Sequence, residues 1–236
     1  MTGVARRRLG RPPQVTREAI AAAVLDVGFH DLTFTAVADR LGIGQATLFR
    51  HVPNRDDLVR LGLDLAVRRY PWPSLDGTWR EVLERYALAA WRAWETHPGA
   101  VVEATRGVLP PSVVALSDEV GAVLLRAGFR PDAAVRAFDL VFDLAADSRR
   151  GVELLALPAG RGTADQRGLL DRMWAGGAAA VGPGTATDDE RRAVRAAMSA
   201  AIRADPVEWF LGKLRVVLAG VEAELAPRPD AGRDRS

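Results

Sequence analysis

The stretch Thr33 to Val52, TFTAVADRLGIGQATLFRHV, leaves the chain little choice of local fold. Thr33 or Thr35 is placed to cap a short helix whose inward side carries Val37, Ala38 and Leu41. Gly42 follows at once, where a left-handed residue is needed to reverse the chain. Ile43 is a lone apolar side chain in the turn. A second helix runs from about Gly44, with Leu48 and Val52 four residues apart on its inward side. Gln45, Ala46, Thr47, Phe49, Arg50 and His51 share its other faces. This is the helix-turn-helix pattern, whose second helix lies in the DNA major groove. A plain helical hairpin is the alternative. Against it stand the shortness of the second helix, the compact hydrogen-bonding groups on its outer face, and an arginine-rich segment just upstream.

The flanks fit a small helical domain. Residues 1–13 read as a disordered basic arm in which Arg6, Arg7, Arg8 and Arg11 meet no acid before Glu18. Such an arm is either a solubilising tail or a strand of charge that tracks phosphates or enters the minor groove; its place beside the motif favours the second. Thr16 caps a helix to about Val27 with Ile20, Ala23, Val24 and Val27 on one stripe, and Gly28 ends it. After Pro53, Asn54 caps the next helix with Asp57 three residues on. That helix is apolar on two sides, through Leu58, Leu61 and Leu65 and through Leu63 and Val67, as expected of a helix buried between two layers. Tyr70-Pro-Trp-Pro stops it.

Residues 14 to 70 closely resemble the DNA-binding domain of the TetR (tetracycline-repressor) family of bacterial regulators. The resemblance rests on Gly28, Thr33, Val37-Ala38, Leu41-Gly42, Thr47-Leu48-Phe49, His51-Val52 and Arg55-Asp56-Asp57-Leu58, spaced without a gap. Beyond residue 70 the match is weak. The resemblance implies that Gln45, Thr47 and Arg50 address base edges and Ala46 a thymine methyl, while Thr35, His51 and Arg55 hold phosphates. Two positions depart from the pattern. Phe49 replaces the usual Tyr and loses a hydroxyl contact while keeping the ring, and Gly44 stands where Ser or Thr commonly caps, at a cost of about a few tenths of a kcal/mol.

The rest of the chain reads as helices. One runs from Asp76 to Thr96 with Trp79, Leu83, Tyr86, Ala90 and Trp94 on one face and Trp91 beside it. Such a stripe is either core or the wall of a ligand site. A short helix follows His97-Pro98-Gly99, another begins at Pro110-Pro111, and a long one spans Asp132 to about Leu157. Residues 158 to 189 hold seven Gly and two Pro and read as a mobile loop with one helical insert near Leu169 to Trp174. Helices from Asp188 to Ala204 and from Pro206 onward complete the body.

The expected fold is therefore all-α. Residues 1–13 are the arm, 14–53 a three-helix domain containing the helix-turn-helix, 54–70 a connecting helix, 71–226 a helical ligand-binding and dimerisation domain, and 227–236 a disordered tail. The resemblance implies a homodimer on a palindromic double-stranded operator, with the helix from Asp132 and the last helix meeting their symmetry mates as a four-helix bundle. It implies a repressor, in the commoner family behaviour, released by a small-molecule effector. Trp91, Trp94, His97, Glu103, Arg106 and Asp143 are the expected ligand-binding residues.

Composition narrows the alternatives. No Cys is present, so disulfides and thiolate metal sites are excluded; no metal or cofactor is expected. The formal net charge is only +2, so basic residues act through their placement and not as a polycation. No apolar run approaches the ~20 residues of a membrane span, and the first residues lack a signal-peptide core, giving the expectation of a soluble cytoplasmic protein. Catalytic motifs such as G-x-S-x-G, H-E-x-x-H and phosphate-binding glycine loops are missing. The rival reading is a helical small-molecule-binding or enzymatic protein with no operator.

Overall fold

The computed structural model describes residues 15–156, 165–177 and 184–227. The arm with Arg6, Arg7, Arg8 and Arg11, and the tail from 228, lie outside the described residues. Within them the chain forms eleven helices.

Four helices make the N-terminal cluster: α1 (Arg17–Val27), α2 (Phe34–Leu41), α3 (Gln45–His51) and α4 (Arg55–Arg69). Side chains immediately before three of them close their first turns. Thr16 Oγ1 accepts from the Ala19 amide at 3.1 Å, Thr33 Oγ1 from Ala36 at 3.0 Å, and Asn54 Oδ1 from Asp57 at 2.8 Å. Gly44 precedes α3 with no side-chain cap. Gly42 reverses the chain between α2 and α3 at φ 65°. Ile20, Val24, Val37, Leu48, Leu58 and Leu63 are wholly buried in one cluster with Phe29 and Leu32. Burying each such side chain contributes about 1.5–3 kcal/mol, which is how a helix as short as α3 is held in place. Helices α1 and α4 approach so closely that a Cβ on Gly62 would lie 2.4 Å from Val24 Cγ1.

The remaining helices are α5 (Trp79–Thr96), α6 (Ala100–Ala104), α7 (Pro111–Arg126), α8 (Pro131–Ala156), α9 (Gln166–Gly176), α10 (Asp188–Arg203) and α11 (Pro206–Glu224). Helix α5 begins at Trp79, not at the Asp76 expected from the sequence. Gly77 takes φ 102°, and Thr78 with Glu81 forms a reciprocal capping box that fixes the start there. Helix α9 extends on both sides of the expected insert, and its start is fixed by Asp165, which accepts from the Arg167 and Gly168 amides.

The second core unites α5, α7, α8 and α11 around Leu83, Tyr86, Trp91, Leu124, Val141, Phe210 and Leu214. Trp91 stacks on Phe210 with ring centroids 4.8 Å apart, and the Arg149 guanidinium carbon stands 5.7 Å from the Trp91 ring centroid. The proline-rich link after α4 folds back onto this core: Trp72 Nε1 donates to the Val67 carbonyl at 2.8 Å, and Tyr86 Oη donates to the Pro73 carbonyl at 2.8 Å. No described helix is long and apolar enough to cross a membrane.

Candidate nucleic-acid interface

Burial of Leu48 and Val52 turns the opposite side of α3 outward. Gln45, Ala46, Phe49, Arg50 and His51 are exposed there and Thr47 is half-buried. The polar groups are already oriented by one another. Gln45 Nε2 donates to Thr35 Oγ1 at 2.8 Å, joining the start of α3 to α2. Arg50 donates to Thr47 Oγ1 at 3.1 Å and has no carboxylate partner among the described residues. Phe49 is 47% exposed, yet its ring lies flat on Phe34 with centroids 4.1 Å apart and 9° between planes. The ring clamps α2 to α3, a task that needs no hydroxyl.

Arg55 is placed differently from the expectation. Instead of standing free for a phosphate, its guanidinium holds both carboxylate oxygens of Glu103 on α6 at 2.8 Å each. The hydrogen bond from Arg55, partly opposed by burial, keeps the Glu103 carboxyl below its ordinary range; the nearby Arg55 and Arg106 charges act in the same direction. Helix α4 has a second polar tie to the body. Asp64 Oδ1 accepts from the Ser112 amide at 3.0 Å, at the N-terminus of α7, where Pro110 offers no side-chain cap. Burial pushes the Asp64 carboxyl up, but hydrogen bonds from Ser112 and Arg68 outweigh it and leave the group below its usual value.

Between these two ties, α4, α5, α7, α8 and the α6–α7 connection enclose a cavity of about 450 Å³. Of the six residues expected to bind ligand, Trp94 and Asp143 line it. The other four expected residues do not. Trp91 is a core residue stacked on Phe210, while Trp94, three residues on, faces the cavity. Glu103 is turned away to Arg55, Arg106 lies exposed 3.5 Å from Glu103, and His97 ends α5 half-buried, where burial pushes its imidazole down. The walls that sequence reading missed are Trp72, Leu109, Val113, Leu116, Phe138 and Phe142, with Asp118 and Asp139 at the polar edge. One signal was available: Phe138 with Phe142 and Asp139 with Asp143 repeat at four-residue spacing, putting an aromatic and an acidic row side by side on α8. Among the described residues no group of three or more His, Asp or Glu side chains suits a metal ion.

Comparison with known proteins agrees with this geometry. Residues 17–61 match the family model described as bacterial regulatory proteins, tetR family. An HTH-type transcriptional regulator of Saccharopolyspora erythraea is 30% identical over 123 residues, covering 50% of this chain and 52% of that protein. The HTH-type transcriptional repressor DrrR1 of Streptomyces coeruleorubidus is 31% identical over 112 residues, covering 44% and 42%. The chain thus aligns with about half the length of these curated relatives. Among solved structures, the Streptomyces coelicolor TetR family protein ActR in complex with actinorhodin superposes with a TM-score of 0.71 at 20% identity, over 90% of this chain and 98% of that one. At that identity the likeness extends the shared fold across the body.

Proposed function

We propose, from the premise that this chain belongs to the tetR family of bacterial regulatory proteins, that it is a ligand-responsive transcriptional repressor. As a homodimer it binds a palindromic operator, and a small molecule in the cavity beside α4 releases it. The observation that carries the DNA-binding half is the outward face of α3, where Gln45 and Arg50 stand exposed on a helix anchored by Leu48. Gln suits the adenine N6/N7 pair and Arg the guanine O6/N7 pair. Thr35 and His51 serve phosphates, and Arg55 joins them on leaving Glu103.

The cavity supports the effector half, as does the actinorhodin held by the structurally similar ActR. Its α6–α7 wall is tied at both ends to α4, by Glu103 to Arg55 and by Ser112 to Asp64. A ligand that displaces this wall therefore pulls on the helix that carries the recognition unit. A preference of ~3 kcal/mol for the non-binding geometry weakens DNA binding ~150-fold by linkage. Helices α8 and α11 leave Val135, Leu140, Trp209 and Val216 exposed, a surface suited to a symmetry mate. The same proposal assigns 14–53 to the DNA-binding head, 54–70 to the connector and 71–226 to the ligand-binding and dimerisation body.

Selection of bound fragments from random duplex DNA, followed by a salt titration of the winner, tests this function. A palindromic winner whose affinity falls steeply with salt is expected. Absence of enrichment at low salt with intact protein would remove the operator and leave a helical ligand-binding protein.

A further inference from the structure

We propose that the cavity takes an aromatic cation: a flat, multi-ring molecule with positive charge at one edge. This deepens the effector half of the proposed function and rests on it.

Four aromatic rings, Trp72, Trp94, Phe138 and Phe142, line a volume of about 450 Å³, within the ~300–1,000 Å³ of small-molecule sites. The charged residues lining it are Asp118, Asp139 and Asp143, and no Lys, Arg or His joins them. In a chain with 32 basic and 30 acidic residues, bases are as numerous as carboxylates. These three have no ion-pair partner among the described residues.

Helix α8 makes the imbalance sharper. Asp139, Asp143 and Asp147 recur every fourth residue, an arrangement of like charges that destabilises a helix. Asp147 is relieved by Arg150, whereas Asp139 and Asp143 have no such neighbour. Burial, together with the charges of Asp139 and Asp147, pushes the Asp143 carboxyl above its ordinary range. A bound cation removes that repulsion, and the faces of the surrounding rings attract the same positive charge. An anion of equal size would meet three carboxylates and no counter-charge. Shape alone admits both; charge admits one.

The test uses the full-length protein without DNA and follows quenching of tryptophan fluorescence. Proflavine, a three-ring aromatic cation, is compared with anthracene-2-carboxylate, a three-ring aromatic anion. Proflavine is expected to bind at least about tenfold more tightly, and the Asp139→Asn/Asp143→Asn double variant to weaken it about tenfold while narrowing the preference. Both positions are exposed, so an unchanged melting temperature certifies the fold of the variant. Equal or tighter binding of the anion overturns the proposal, as does binding of neither dye below millimolar concentration or proflavine affinity indifferent to the substitutions. Failure of the regulator reading is separate: it is seen as no enriched DNA, whatever the dyes do.

Discussion

Arg55 and Glu103, 48 residues apart in sequence, meet in a two-pronged ion pair with both nitrogen–oxygen distances at 2.8 Å. The carboxylate is nearly buried, with 9% of its side chain exposed, while the arginine keeps 38%. One residue at the start of α4 is thereby committed to the body when the resemblance assigns it to DNA. Under the proposed function a phosphate and Glu103 would compete for one planar fork, and Ala104, next to Glu103, lines the cavity.

Glu103→Gln keeps the shape of the side chain and removes the charge. The expected loss in stability is about 1–2 kcal/mol, read from denaturant midpoints, because the pair is partly solvent-screened. Operator affinity should hold or rise, since Arg55 is released toward phosphate. A fall in affinity in gel-shift titrations would take Arg55 off the DNA side.

Acid should loosen both ties of α4. Glu103 and Asp64 lie below their ordinary values of 4.5 and 3.8 in the folded chain. Their stabilising contribution is then complete above those unfolded-state values and is lost as the pH falls through the lower folded-state ones. The stability gap between the parent and the Glu103→Gln variant should be constant from pH 7 to about 5 and shrink below 4.5, whereas the gap for Asp64→Asn should shrink only below 3.8. Urea melts across that range measure it; a gap that widens with acid contradicts the sign.

Arg50→Ala should weaken operator binding by about 1–3 kcal/mol and relax preference at one base pair. The basis is an exposed guanidinium steadied by Thr47 and unclaimed by any described carboxylate. Repeating the fragment selection with the variant checks it, and uniform weakening on all sequences would reassign Arg50 to a phosphate.

At Gly62 the added methyl of Gly62→Ala meets Val24 Cγ1 at 2.4 Å between two packed helices. Overpacking of this kind costs about 1–3 kcal/mol, outweighing the better helix propensity of Ala. A thermal melt should show the loss. An unchanged or raised midpoint would mean that α1 and α4 separate more readily than their packing implies.

Trp91 and Trp94 should respond oppositely to replacement by Ala. Trp91 sits in the core against Phe210, so its loss should cost about 3–5 kcal/mol of stability. Trp94 lines the cavity, so its loss should mainly weaken proflavine binding. Comparing melts with dye titrations separates the two roles.

Much of the head was legible because its signals are local. Thr16, Thr33 and Asn54 cap the helices they precede, and Gly42 supplies the left-handed turn. Leu48 and Val52 face inward as their spacing requires. The ties between layers were not legible. Arg55 with Glu103, and Asp64 with Ser112, each bridge 48 residues, and no periodicity names a partner at that distance. Trp91 and Trp94 illustrate the same limit within one helix. Both belong to an aromatic stripe, but only the placement of α8 and α11 decides which packs as core and which faces the cavity.

The Asp64–Ser112 bond bears on modularity. Because a carboxylate on α4 completes the first turn of α7, the recognition unit cannot be exchanged like a detachable cartridge by cutting at the end of α4. A chimera that imports a foreign α4 without an acid at this position leaves the α7 amide unanswered and the body misregistered against its new head. Because α4 also packs into the head core through Leu58, Val59 and Leu63, successful recombinants should keep α1 to α4 together and restore an acid at the Asp64 position.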